Sequence, residues 1–234
     1  MPNRRQLTLD LGHRPALGRE DFLISSGNAA AMAWLDRWPD WPAPALAVHG
    51  PAGCGKTHLV HVFAARTGAV ILSAAELCRD DPPRLLPAAM ALAVEDADQG
   101  VDEVALFHLF NLARESRCLM LFTGRSAPAR WRLDLADLRS RLRAIPNVAI
   151  EPPDDSLLAA VLVKLFADRQ LKVPAEAIGY AVARLERSFA AARALVEAVD
   201  AAALAEKREI TVPLVREAVG RLAPVSDDKI TRGI

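Results

Sequence analysis

The eight residues Gly50-Pro51-Ala52-Gly53-Cys54-Gly55-Lys56-Thr57 fill every position of the pattern G-x-x-x-x-G-K-[ST], whose chemistry is the cradling of phosphates. At average composition, so complete a match arises by chance in roughly one chain per hundred of this length. Gly53 and Gly55 let the backbone curl until its N–H groups point at an anion, and the positive end of a following helix adds to the attraction. Lys56 would meet the β and γ phosphates of ATP or ADP, and Thr57 would hold a magnesium ion. Pro51, Cys54 and the adjoining His58 complete the stretch expected to contact the nucleotide. The rival reading is a glycine turn at a helix start with an exposed lysine.

The flanking segments supply the setting this chemistry needs. Ala45-Leu46-Ala47-Val48-His49 suits a buried strand, and Thr57 to Ala65 has helical character, so strand, loop and helix follow in the required order. Val70-Ile71-Leu72 reads as a second strand, followed by a proline-rich connection from Asp80 to Pro87. Met90 to Val94 is a further apolar run that ends in Glu95-Asp96-Ala97-Asp98. Carboxylates at such a strand end can hold a metal through water and orient an attacking water. Glu95 is assigned to the metal and Asp96 to the water, although acids after a strand also simply begin a turn. A helix is expected from Glu103 to Glu115, then a buried strand, Cys118 to Phe122, ending at Thr123-Gly124-Arg125. Ahead of all this, Ser26 or Asn28 is placed to cap a helix from Ala29 to Trp38, which Pro39, Pro42 and Pro44 end.

Strands alternating with helices predict a mainly parallel sheet covered on both sides. After Ile150 the character changes. Pro152 and Pro153 punctuate the chain, and four alanine- and leucine-rich stretches follow, near Asp155 to Arg169, Ala175 to Leu185, Phe189 to Glu206 and Val212 to Leu222. The expectation is an α/β phosphate-loop domain over residues 21–151 and a small all-α lid over 152–224. A flexible arm, 1–20, precedes them and a disordered polar tail, 225–234, follows.

Composition bounds the function. Twenty-nine basic residues balance 29 acidic ones, so no global positive field draws the chain to DNA. Aromatics make up only 5% against 52% apolar residues, which predicts a largely helical core of alanine, leucine and valine. Cys54, Cys78 and Cys118 are too few and scattered for a disulfide framework or a zinc site and fit a reducing cytosol. No apolar run approaches the roughly 18 residues of a membrane span, and the N-terminus lacks an apolar signal core, so a cytoplasmic protein without a membrane partner is expected.

In combination, the phosphate loop, the acidic cluster, Leu106-Phe107-His108-Leu109-Phe110-Asn111, Thr123-Gly124-Arg125 and Asp137-Leu138-Arg139-Ser140-Arg141-Leu142 resemble the AAA+ ATPase module of the bacterial replication initiator DnaA. With the N-terminal Gln6-Leu7-Thr8-Leu9-Asp10-Leu11, the chain resembles more closely the DnaA-related regulatory inactivators, the Hda family. The resemblance covers the arm and both domains. It implies that Thr123 senses the γ phosphate and that Arg141 is an arginine finger reaching a nucleotide on a neighbouring protomer. It also implies that Arg193 is a second sensor carried back over the chain's own nucleotide, and that Phe22 to Asn28 lines the adenine pocket. A permanently charged guanidinium fork suits the finger's role. Read from the residues alone, Arg139, Arg141 and Arg143 could form a solvated basic face, and Arg193 could pair with Glu197 one turn away.

The arm resembles the short peptide with which replication proteins dock on the sliding clamp, the β subunit of DNA polymerase III. Gln6 would hydrogen-bond a pocket edge while Leu7, Leu9 and Leu11 fill apolar pockets. The same alternation suits an edge strand folded onto its own domain. Two departures from the family pattern are evident. Glu95 precedes Asp96 where aspartate usually comes first, which argues against strong intrinsic hydrolysis. Ser25 stands where relatives often have glycine. The helix-turn-helix domain that follows the lid in DnaA has no counterpart in this sequence, so DNA contact is expected mainly through the clamp. The expectation is a regulator that docks on the DNA-loaded clamp and stimulates hydrolysis of DnaA-bound ATP; self-association is compatible with it. A helicase-loader or DNA-remodelling ATPase, or a clamp-binding adaptor with a vestigial nucleotide site, are the alternatives.

Overall fold

The computed structural model describes residues 22–78, 90–206 and 208–222. The expected arm with its 6–11 motif, the 80–87 connection and the 225–234 tail lie outside the described residues. Five parallel strands form one sheet in the order β2-β3-β4-β1-β5: β1 Ala45–His49, β2 Val70–Ser73, β3 Ala91–Glu95, β4 Leu119–Gly124 and β5 Asn147–Ala149. Successive side chains of a strand point to opposite faces. Ala45, Ala47, Leu92, Val94, Met120 and Phe122 therefore share one face, under α3 (Glu103–Glu115) and α4 (Ala136–Ala144). Leu46, Val48, Ala91, Ala93 and Leu121 share the other, under α1 (Ala29–Asp36) and α2 (Lys56–Thr67). Strands covered on both faces have no need of polar residues, which is why β1, β3 and β4 read as continuous apolar runs.

Some details differ from the sequence reading. The short edge strand β5 and the helix α4 were not expected, and α1 ends at Asp36, two residues before Trp38. Asn28 stands at the N-cap of α1 without capping it: its Oδ1 accepts the Ser25 N–H at 2.8 Å and its Nδ2 donates to the Leu23 carbonyl at 3.0 Å. The amide thus spends its hydrogen bonds on shaping the segment ahead of the helix.

Among the described residues beyond Pro153, the chain folds as an all-α lid of four helices: α5 Asp155–Asp168, α6 Ala175–Val182, α7 Phe189–Glu206 and α8 Val212–Leu222. Leu158, Leu162, Phe166, Leu195, Val196, Val199, Leu214 and Val215 form its buried core. Asp154 caps α5 by accepting the Leu157 N–H at 2.7 Å, and Ser188 caps α7 by accepting the Ala191 N–H at 3.1 Å. The Leu157 N–H, helped by the Ser156 hydroxyl donating at 2.7 Å, holds the Asp154 carboxyl below its ordinary value of 3.8.

A carboxylate whose folded pKa is depressed stabilises the fold above its unfolded pKa and loses that contribution as pH falls through the folded value. The urea midpoint of Asp154→Ala should accordingly lie below that of the native chain at pH 7, and the gap should close on acidification below about pH 4. Denaturation curves of the two proteins at both pH values check this.

Candidate nucleotide-binding cleft

The phosphate loop is suspended from three strands. Parallel register sets Thr123 beside Val48 and Gly124 beside His49. The Gly50 N–H then donates to the Gly124 carbonyl at 3.1 Å, and the Ile150 N–H donates to the His49 carbonyl at 2.7 Å. A Cβ at Gly50 would lie 2.3 Å from the Ile150 carbonyl oxygen, so the position admits only glycine. Gly55, with φ +103°, gives the loop its left-handed entry into α2, and Gly53 is also left-handed at +73°. Lys56 is only 8% exposed, and its ammonium donates to the carbonyls of Gly50 at 2.8 Å and Pro51 at 2.9 Å. Burial pushes the neighbouring Cys54 thiol up, with the Lys56 charge acting in the opposite sense.

The lid closes against this loop. The Phe189 N–H donates to the Gly53 carbonyl at 2.9 Å, and Cβ atoms added at Gly53 or Gly55 would meet Ser188 Cβ at 2.7 Å or Phe189 Cε2 at 2.9 Å. Between lid and body lies a cleft of about 570 Å³, a size suited to a small ligand. Lys56, Thr57, His58, Asp96, Arg125 and Arg193 all reach it. Phe22 and Asn28 line the same cleft, and Phe22 packs edge-on against the His58 ring at 5.2 Å. The structure therefore brings the expected adenine-pocket segment to the loop.

Asp96 sits in the left-handed region, φ +52°, a conformation that Asp tolerates better than most residues. Buried Thr123 holds it there: Thr123 Oγ1 accepts the Asp96 N–H at 3.1 Å, and the Thr123 carbonyl accepts the Ala97 N–H at 2.8 Å. Glu95, at the end of β3 opposite Ser73, is half-buried and does not line the cleft. Arg125 is the cleft cation that sequence reasoning left unassigned. Its N–H donates to Asp98 Oδ2 at 2.7 Å, which fixes the turn after β4. Its place after Thr123-Gly124 at a strand end was the available signal.

The two remaining arginines occupy different places. Arg193, on the lid helix α7, lines the cleft, whereas Glu197, the partner considered for it, pairs with Arg169 at 3.5 Å. Arg141, on α4, does not line the cleft. Its guanidinium donates to Asn111 Oδ1 at 2.6 Å and lies 4.9 Å from the centre of the Phe107 ring. Phe107 and Asn111 share one face of α3 at i, i+4 spacing. At the head of the same helix, the Glu103 carboxylate accepts the N–H groups of Asp134 at 2.9 Å and Leu135 at 2.6 Å, which pins the entry to α4. Sequence reasoning gave Glu103 no such role, because its partners lie 31 and 32 residues away.

Among the described residues, no three His, Cys, Asp or Glu side chains cluster to hold a metal. Magnesium in a phosphate loop needs no such cage, since it is held by one or two protein oxygens together with phosphates and water. The Thr57 hydroxyl and the Asp96 carboxylate, both lining the cleft, fit that donor set. Among the described residues no helix is long and apolar enough to cross a membrane.

The lid domain of Hda matches residues 155–219. Among solved structures, domain III of the replication initiation protein DnaA from Thermotoga maritima superposes with a TM-score of 0.78 at 16% identity, over 90% of this chain and 98% of that one. The replication initiator DnaA bound to AMPPCP and single-stranded DNA gives a TM-score of 0.66 at 16% identity, over 83% and 69%. The Holliday junction branch migration motor RuvB from Thermotoga maritima gives 0.61 at 17%, over 76% and 61%. These likenesses establish the AAA+ fold.

The loop's packing makes a chemical prediction. Cys54 and Cys118 are buried, with burial pushing Cys118 up to about 11, whereas Cys78 is exposed. Iodoacetamide at pH 8 should label Cys78 in the native protein, and Cys54 and Cys118 only after denaturation. Mass spectrometry of the digested protein reads the order.

Proposed function

We propose that this Hda/DnaA-like AAA+ protein is a negative regulator of DNA replication initiation. It docks on the DNA-loaded sliding clamp through Gln6, Leu7, Leu9 and Leu11 and stimulates hydrolysis of DnaA-bound ATP through Arg141. The observation that carries this reading is the position of Arg141. It lies outside the chain's own cleft, half-buried and oriented by Asn111 and Phe107, as a group must be if it is to enter a neighbour's nucleotide site without first paying to become ordered. A guanidinium supplied in trans is worth roughly a thousandfold or more in other nucleotide hydrolases. The lid's match to that of Hda is the second support.

The chain's own cleft binds ATP or ADP in this account. The loop N–H groups and Lys56 hold the phosphates, Phe22 and the segment after it face the base, and Arg193 draws the lid over the nucleotide. Thr57, with Glu95 or Asp96 through water, would hold a magnesium ion, which would supply neutralisation of phosphate charge. Thr123 keeps Asp96 aimed into the cleft. Glu95 stands back from the cleft, consistent with slow turnover of the chain's own nucleotide, which then serves to keep lid and body in register. A remodelling ATPase is the second reading: Asp96 and Thr123 stand where they could serve hydrolysis in cis, and the RuvB motor shares the fold.

DnaA preloaded with radiolabelled ATP, incubated with clamp loaded on DNA, separates the two. The native protein should accelerate conversion to ADP only when the clamp is present, and Gln6→Ala/Leu7→Ala should lose most of that acceleration. Acceleration that ignores both the clamp and the arm would refute the docking step. Brisk ATP turnover by the purified protein alone, abolished by Lys56→Ala, would favour the remodelling ATPase.

A further inference from the structure

The cleft between lid and body carries more positive charge than its phosphate loop alone requires. Lys56, Arg125 and Arg193 line it against a single carboxylate, Asp96, with His58 and His61 on the α2 side. Lys56 already has two carbonyl partners, and Arg193 rides on the lid helix α7. Arg125 is different. It is exposed, and among the described residues no ion pair, side-chain hydrogen bond or ring contact engages its guanidinium.

The backbone that presents this side chain is, by contrast, fixed on every side. The Arg125 N–H donates to Asp98 Oδ2 at 2.7 Å, and the Ala97 N–H donates to the Thr123 carbonyl at 2.8 Å. The buried Trp131 indole donates to the Ser126 carbonyl at 2.7 Å, and a Cβ at Gly124 would meet Trp131 Cζ2 at 3.1 Å and Asp98 Cγ at 3.2 Å. A rigid turn that aims an unengaged guanidinium into a cleft is organised in advance for an anion.

Strand order says which part of a nucleotide that anion is. All five strands are parallel, so the segments leaving their C-terminal ends lie along one edge of the sheet in the order β3, β4, β1, β5. The segment expected at the base belongs to the β5 side, where the Glu151 N–H donates to the Gly27 carbonyl at 3.0 Å. The phosphate loop follows β1, and Arg125 follows β4, on the far side of the loop from that segment. A nucleotide with its base by Phe22 and its α and β phosphates on the loop therefore extends its next phosphate toward Arg125. We infer that Arg125 binds the γ phosphate in this chain's own cleft and makes the cleft distinguish a nucleoside triphosphate from a diphosphate, an inference that rests on the nucleotide reading above. Thr123, at the same strand end, is buried, does not line the cleft, and has its hydroxyl oxygen on the Asp96 N–H, so the direct contact falls to the residue two further on. The guanidinium fork matches two phosphate oxygens, and its charge offsets the repulsion that Asp96 exerts on a phosphate at this end.

Calorimetric titration of the full chain with ADP and with AMPPCP, a triphosphate analogue that is not turned over, tests this. Arg125→Ala, a change at an exposed side chain, should weaken AMPPCP by about tenfold or more, the loss expected for a charge-assisted contact, and leave ADP within about twofold of the native value. Equal weakening of both nucleotides would overturn the inference, since the arginine would then act on the phosphates that the loop holds or through the general field of the cleft. Unchanged binding of both would overturn it as well. Failure of the folded native chain to bind either nucleotide would instead overturn the nucleotide reading, and this inference with it.

Discussion

A buried positive charge organises this molecule. The Lys56 ammonium is nearly out of solvent and is held by two carbonyl oxygens of its own loop. A desolvated charge is tolerable only when fully hydrogen-bonded, so the loop must keep Gly50 and Pro51 curled around it. That curl leaves no room for side chains at Gly50, Gly53 or Gly55, where an added Cβ would strike Ile150, Ser188 or Phe189. Strand order and lid position follow from the same need: β4 and β5 hold the start of the loop, and the head of α7 closes on Gly53. Phosphate oxygens arriving in the cleft would offer Lys56 a better partner than the carbonyls that now hold it.

The arginines divide into two systems with separate supports. Arg125 and Arg193 line the cleft, the first fixed through Asp98 to the turn after β4 and the second carried by the lid. Arg141 belongs to the α3–α4 pair, where Glu103 anchors the entry to α4 and Asn111 and Phe107 receive the guanidinium. Because α3 supplies both anchors, the aim of the Arg141 guanidinium depends on one helix packed firmly on the sheet through Leu106, Leu109 and Phe110. The proposed action on another molecule's nucleotide requires a group that is rigid before that molecule arrives, and this arrangement would supply it.

Most of the framework was legible because buried parallel strands and amphipathic helices leave periodic signals. Strand β5 was not: Asn147-Val148-Ala149 is only three residues long and largely exposed, and its pairing is imposed by β1 rather than by its own composition. Helix α4 hid behind its arginines, although Leu138 and Leu142, four apart and both fully buried, carried the helical period. At the site, the loop residues, Thr123 and Asp96 could be placed from strand ends. Glu103 could not, since its contacts are made across the fold to backbone N–H groups that no sequence pattern marks. Arg193 was ambiguous in sequence because Glu197 lay within reach; tertiary packing gives that carboxylate to Arg169.

The central claim is that this chain lends Arg141 to a nucleotide it does not itself bind. Single-turnover hydrolysis of ATP held by DnaA on clamp-loaded DNA tests it most directly, with Arg141→Ala compared against Arg139→Ala, whose native guanidinium is occupied by the Leu133 carbonyl at 2.7 Å. The account predicts that Arg141→Ala loses the stimulation, by a factor on the order of a thousand, while Arg139→Ala retains most of it. Full stimulation by Arg141→Ala would contradict it.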